Sequence, residues 1–120
     1  MHLTRALAVV AAGAALIALP PLASAAPQAS AAKSCGVGDT RSYGTTYVLT
    51  ISVSNTSCRS GKRLIRAFHA CRRGKSGRCG HVKGYACSER RFNKSRTSYD
   101  SRVTCSKGSR TVKHTYTQFT

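Results

Sequence analysis

Acidic side chains are scarce in this sequence. Its 120 residues carry Asp39, Glu89 and Asp100 against 20 Lys and Arg, for a formal net charge of +17. A surface of mixed sign, which would be enough for solubility, is therefore excluded. Tryptophan is absent, and the aromatics are five Tyr and three Phe. After Leu19 there is no long apolar run, so no later segment reaches the roughly 20 apolar residues of a spanning helix. No Cys stands just behind the first apolar run, which argues against a lipoprotein, and no Arg-Arg pair precedes it.

What the N-terminus does contain is an export pattern. Arg5 gives a short positive start, Ala6 to Leu19 is uninterrupted apolar chain, and Pro20-Pro21 ends it. Ala23-Ser24-Ala25 then fits the small-residue cleavage rule. Ala29-Ser30-Ala31 is a second such triplet, and Ala25 is the preferred site. Residues 1–25 are therefore read as a Sec signal peptide, and the mature chain as extracellular with no transmembrane segment. Without Arg5 it keeps 19 of the 20 Lys and Arg and all three acids, a net charge of +16. Residues 26–34 are small and polar without periodicity, and read as a flexible tail. Residues 35–120 form one domain.

So short a domain buries a modest fraction of its surface. Self-repulsion at this charge loosens it further. Six cysteines, Cys35, Cys58, Cys71, Cys79, Cys87 and Cys105, all after the signal, read as three disulfides.

Periodicity supplies the elements. Thr45 to Val53, TTYVLTISV, alternates as a strand, placing Tyr47, Leu49, Ile51 and Val53 on one face. From Cys58 the period changes. Gly61, Leu64, Ile65, Phe68, Cys71 and Arg72 follow helical spacing, with basic residues mainly on the other side. The helix is expected over residues 58–73, capped by Ser57 and stopped at Gly74. Residues 74–84 read as loop, 85–88 as a short strand and 89–98 as a polar connection. Residues 101–105 and 111–117 read as strands around a turn in which Gly108 takes positive φ. The expected fold is α+β: one amphipathic basic helix on a small antiparallel sheet, stapled by three disulfides.

The stretch HACRRGKSGRCGH, residues 69–81, raises zinc. Metal ligand pairs are typically spaced by two to five residues. Here one residue separates His69 from Cys71, and on a helix such neighbours point about 200° apart. No metal or cofactor is expected. Cys71 and Cys79 are instead expected to pair across the loop behind the helix. Cys58 cannot reach Cys71 along one helix: thirteen residues span about 20 Å, and a disulfide needs Cα atoms within about 7 Å. Its partner is Cys35, Cys87 or Cys105, and Cys87 or Cys105 is favoured as a staple from helix to sheet. Gly74-Lys75-Ser76 ends like a phosphate loop, but His69 stands where that motif requires Gly.

Cys35-Gly36, Ser57-Cys58, Tyr85-Ala86-Cys87 and Val103-Thr104-Cys105-Ser106-Lys107-Gly108 together resemble a group of small secreted cysteine-containing proteins of actinobacteria without an assigned function. The resemblance covers residues 35–117 and implies a compact exported domain, with no catalytic residue carried over. Those proteins tend to have four cysteines, which makes Cys71 and Cys79 an addition here and supports their mutual pairing.

Thirteen of the 19 mature basic residues lie between Arg59 and Arg96, with Glu89 the acid among them. Such a field attracts polyanions. The expected contact surface is helix 58–73 with loop 72–78, through Arg59, Lys62, Arg63, Arg66, Arg72, Arg73, Lys75 and Arg78. Its partner would be an anionic polymer or surface: cell wall, nucleic acid, acidic polysaccharide or lipid headgroups. The chain is expected to act as a monomer and without catalysis. One alternative is a cationic antimicrobial or toxin-like protein. Another is a ribonuclease using His69, His81 or His114 as acid and base. Each of these has a plainer reading, with His69 on the helix flank, His81 in a wet loop and His114 within a strand.

Overall fold

The structure, a computed structural model, describes residues 13–21, 31–74 and 77–120. The rest of the signal segment and of the tail lies outside the described residues. Residues 13–21 are exposed chain without regular structure, and Leu16, Ile17 and Leu19 take no part in the core. No helix among the described residues is long and apolar enough to cross a membrane.

The elements run β1 (Lys33–Cys35), β2 (Tyr47–Ser54), α1 (Cys58–Gly74), β3 (His81–Val82), β4 (Tyr85–Phe92), β5 (Ser98–Lys107) and β6 (Arg110–Phe119). The strands form one antiparallel six-stranded sheet in the order β1-β2-β6-β5-β4-β3. One helix on one sheet, with three disulfides, is the α+β arrangement expected.

Helix α1 begins where its cap predicts. Ser57 Oγ accepts the Ser60 backbone N–H at 3.1 Å, satisfying one of the donors a helix leaves open at its start. The buried stripe is Gly61, Leu64, Ile65, Phe68, His69 and Arg72. It meets Val48, Ile51 and Val53 of β2, Val103 of β5, and Val112 and Tyr116 of β6 in a single core cluster. The helix runs one residue further than expected, through Gly74. The positive φ behind it belongs to Gly77, at 85°, whose N–H donates to the Arg72 carbonyl at 2.8 Å.

Gly61 sets how closely helix and sheet approach. A Cβ there would lie 2.6 Å from Val53 Cγ1. Gly61→Ala gains helix propensity, worth about 1 kcal/mol, but overpacking costs about 1–3 kcal/mol. A net loss of about 1 kcal/mol, or a thermal midpoint lower by roughly 4–8 °C, is expected. Val53→Ala removes the clashing methyl but opens a cavity of its own, so the double variant should lose less than the sum of the two singles. A double variant no better than the sum of its singles would refute the close-contact account.

Several strands differ from expectation: β3 lies within residues 74–84, expected as loop, and β5 runs Ser98–Lys107 where 101–105 were expected. In β2 the register skips between Val48 and Thr50, a bulge at Leu49. It changes the phase: Val48, Ile51 and Val53 are buried while Leu49 is exposed. β4 runs on to Phe92 through residues expected as connection, because Glu89 turns inward and finds hydrogen-bond donors there. Lys33 and Ser34, expected in the tail, pair with Val53 and Ser52 as an edge strand. Two hairpins are as tight as a sheet allows. Lys107 pairs with Arg110 around Gly108 at φ 58°, as expected. Val82 pairs with Tyr85 around Lys83 and Gly84, both at positive φ, the geometry of a type I′ turn.

Candidate functional site

The cysteines settle first, since they fix the basic segments in space. Cys71 and Cys79 are joined, as expected, with Cα atoms 5.8 Å apart. Their thiols are thereby consumed, and among the described residues no group of three or more His, Cys, Asp or Glu converges on a metal site. Cys58 pairs with Cys35, not with Cys87 or Cys105. The correction has a simple reason. Cys35 ends β1, so it is itself a sheet cysteine, and it lies at the head of α1. Cys87 and Cys105 sit directly opposite each other on β4 and β5 and close on one another, Cα to Cα 4.1 Å.

The basic surface of α1 is real but smaller than expected. Arg59, Arg63, Arg66 and Arg73 are exposed and Lys62 is half-buried. Arg66 lies over the Tyr43 ring, 4.8 Å from its centroid, and Arg73 lies against Gly44 of the same loop. Arg78 is exposed within the loop that Cys71–Cys79 closes, and Lys75 lies outside the described residues. Arg72 does not belong to this surface. It falls on the buried stripe, one turn beyond Phe68 and His69, and is 5 % exposed.

Other basic residues, absent from the expected site, come together in shallow clefts. Arg63 shares one with Lys83 and Arg110. Arg78 shares another with Arg91 and Lys94. Arg63, Lys83 and Arg110 come from the helix and from two separate hairpins, so only the packed fold brings them together.

Arg72 instead organises a polar network beneath the helix. Its Nε donates to His69 Nδ1 at 3.3 Å, one terminal nitrogen to the Tyr99 hydroxyl at 3.1 Å, and the other to Gln118 Oε1 at 2.9 Å. Its guanidinium covers the Tyr116 ring at 4.8 Å. The Tyr116 hydroxyl donates to Glu89 Oε1, which also accepts from Ser101 Oγ at 2.8 Å and from Arg91 Nε at 3.5 Å. Burial, then the bond to Glu89, holds the Tyr116 phenol protonated far above its ordinary range.

His69 and His114 are both fully enclosed, with Nε2 atoms 3.0 Å apart. Burial pushes His114 down to about 3, with Arg72 adding to the effect. Burial pushes His69 down to about 2, helped by His114, Arg72 and Arg73. Both are neutral at ordinary pH, and the network fixes their tautomers. Arg72 donates to His69 Nδ1, so the His69 proton sits on Nε2 and is given to His114 Nε2. The His114 proton is then on Nδ1, a buried atom without a partner.

This placement takes His69 and His114 away from phosphodiester chemistry. An acid and a base must flank the phosphorus and touch its oxygens. These two rings touch each other instead, and neither reaches the surface. His69 is therefore core rather than helix flank, while His81 is exposed on β3. The membrane reading also loses its apolar face, since Leu64, Ile65 and Phe68 are covered by the sheet.

Compared with protein-family models, with curated proteins and with solved structures, the chain matches none of them.

Proposed function

We propose that this chain is an exported, non-catalytic basic domain of the actinobacterial kind it resembles, which binds polyanions outside the cell. The carrying observation is that its cations lack carboxylate partners: among the described residues the one ion pair is Arg91–Glu89. The helix makes the same point. Its first turn holds no acidic residue, although the positive end of a helix dipole favours one. Arg59 and Arg63 stand four residues apart, as do Lys62 and Arg66, and like charges at that spacing destabilise a helix. A sequence shaped by stability alone would have mixed the signs. Three disulfides suit an oxidising compartment.

The test is retention of the oxidised protein on heparin between about 50 and about 300 mM salt, where affinity should fall steeply with salt. Arg59→Gln, Arg63→Gln and Arg66→Gln together should flatten the salt dependence by a log–log slope of about 2 to 3. Salt-independent retention, or a triple variant that behaves as wild type, would remove the helix from the binding surface. Leakage of dye from anionic vesicles would favour the antimicrobial alternative instead.

A further inference from the structure

Among the described residues no second helix or sheet covers the face of the sheet turned away from α1, and that face carries charge in an arrangement that costs stability. Arg90 and Arg102 are exposed and stand directly opposite each other on β4 and β5. Like charges in that position repel. Lys113 on β6 is the diagonal neighbour of Arg102. Among the described residues none of the three has a carboxylate partner. Between them lie hydroxyls. Thr115 is opposite Arg102, Thr104 is opposite Lys113, and Thr50 Oγ1 bonds Thr115 Oγ1 at 2.6 Å. Arg102, Lys113, Thr50 and Thr115 line one shallow depression, and Arg90, Phe92 and Arg102 line the next.

The row beside these cations changes character. Its cross-strand order is Phe92, Asp100, Thr117, Tyr47. Both rings are partly exposed, and the Arg102 guanidinium lies 5.9 Å from the centre of Phe92. Asp100, the acid on this face, accepts from Thr117 Oγ1 at 2.6 Å and from Asn93 Nδ2 at 2.9 Å. A carboxylate keeps further acceptor capacity beyond two such bonds. Cations with hydroxyls in one row, and aromatic rings around an acceptor in the next, match the parts of an unpaired nucleotide: phosphate along the first, base along the second. Stacking platforms beside a basic groove are how single strands are held without sequence preference. A sulfated polysaccharide would use the cations but has no flat ring to lay on Phe92.

We propose that this open sheet face binds single-stranded nucleic acid, its phosphates on Arg90, Arg102 and Lys113 and a base against Phe92. The site is separate from the helix surface, and neither depends on the other.

Fluorescence anisotropy of the oxidised chain with labelled oligothymidylate of about 12 nucleotides tests it, with oligouridylate run beside it to tell DNA from RNA. Combining Arg90→Gln, Arg102→Gln and Lys113→Gln should reduce the log–log salt slope by about 2, since each phosphate contact on a single strand contributes about 0.7. Relief of the Arg90–Arg102 repulsion keeps this variant folded, which its thermal midpoint will verify. Phe92→Leu should weaken the oligonucleotide by roughly tenfold and leave heparin binding as it was. An unchanged slope in the triple variant overturns the face. Equal effects of Phe92→Leu on oligonucleotide and heparin, or none on either, overturn nucleic acid as its ligand.

Discussion

Full reduction of the three disulfides is expected to unfold this protein at neutral pH and room temperature. The bridges close sequence separations of 23, 8 and 18 residues. On the chain-entropy model these are worth about 3.4, 2.5 and 3.2 kcal/mol, or about 9 kcal/mol together. Domains of this kind have about 5–15 kcal/mol in total, and the mature chain also carries the net charge of +16 that remains of +17 without Arg5, which repels itself. The order of sensitivity should follow the loops. Replacing Cys71 and Cys79 by Ala should cost least, and replacing Cys35 and Cys58 most, because that pair also ties β1 to the head of α1. Circular dichroism before and after phosphine reduction, with thiol titration showing all six sulfurs free, makes the measurement. A cooperative thermal transition that survives within a few degrees of the oxidised protein would show that the hydrophobic core alone is sufficient.

How far the sequence reveals this fold depends on whether a residue's partner is near in the chain. The helix was readable because its period is local: Gly61, Leu64, Ile65 and Phe68 recur on one face and Ser57 caps the first turn. Arg72 lies on the same stripe, yet its charge reads as surface. Only Tyr99 and Gln118, brought in by β5 and β6, explain how a guanidinium can be buried there. Glu89 is the same case. Its polar neighbourhood, ERRF, looks like a connection until Tyr116 and Ser101 are placed beside it. Leu49 illustrates another limit. Strict alternation puts it inward, and a single bulge reverses it.

The cysteines divide along the same line. Cys71–Cys79 could be reasoned out from a helix stop and a short loop. Cys35–Cys58 required knowing that residues 33–35 form an edge strand, and three residues carry no readable period. The demand for a staple from helix to sheet was sound, but the sheet had one more cysteine than its alternating segments showed. The candidate binding surfaces follow too. Basic residues on the helix were visible from spacing, whereas Arg90, Arg102 and Lys113 become neighbours only through strand register.

Acidification should destabilise the oxidised protein well before its carboxylates are neutralised, and the buried histidine pair is the reason. In the unfolded chain each imidazole protonates near its ordinary value of about 6.5. In the fold, His69 resists protonation down to about 2 and His114 down to about 3, mainly because the charged ring would be stranded in the core, and further because Arg72 is beside both. Both folded values are depressed, so below about pH 6.5 the unfolded state binds more protons and stability falls with pH. The contribution is complete above about pH 6.5 and drains as pH drops towards 3. Within that window each histidine contributes about 1.4 kcal/mol per pH unit. At pH 4.5 the pair should have removed about 5 kcal/mol, enough to bring the protein near its midpoint. Urea unfolding at pH 7 and 4.5 measures the difference. Proton NMR of the native state should show two imidazoles whose shifts do not move above about pH 4. Replacing both rings by Gln, which can hydrogen-bond but not titrate, should flatten the pH slope by about two protons if that variant folds. The wild-type NMR titration decides the matter even if it does not: a His69 or His114 resonance titrating near pH 6 would mean that the pair is open to solvent and that the buried network does not hold it neutral.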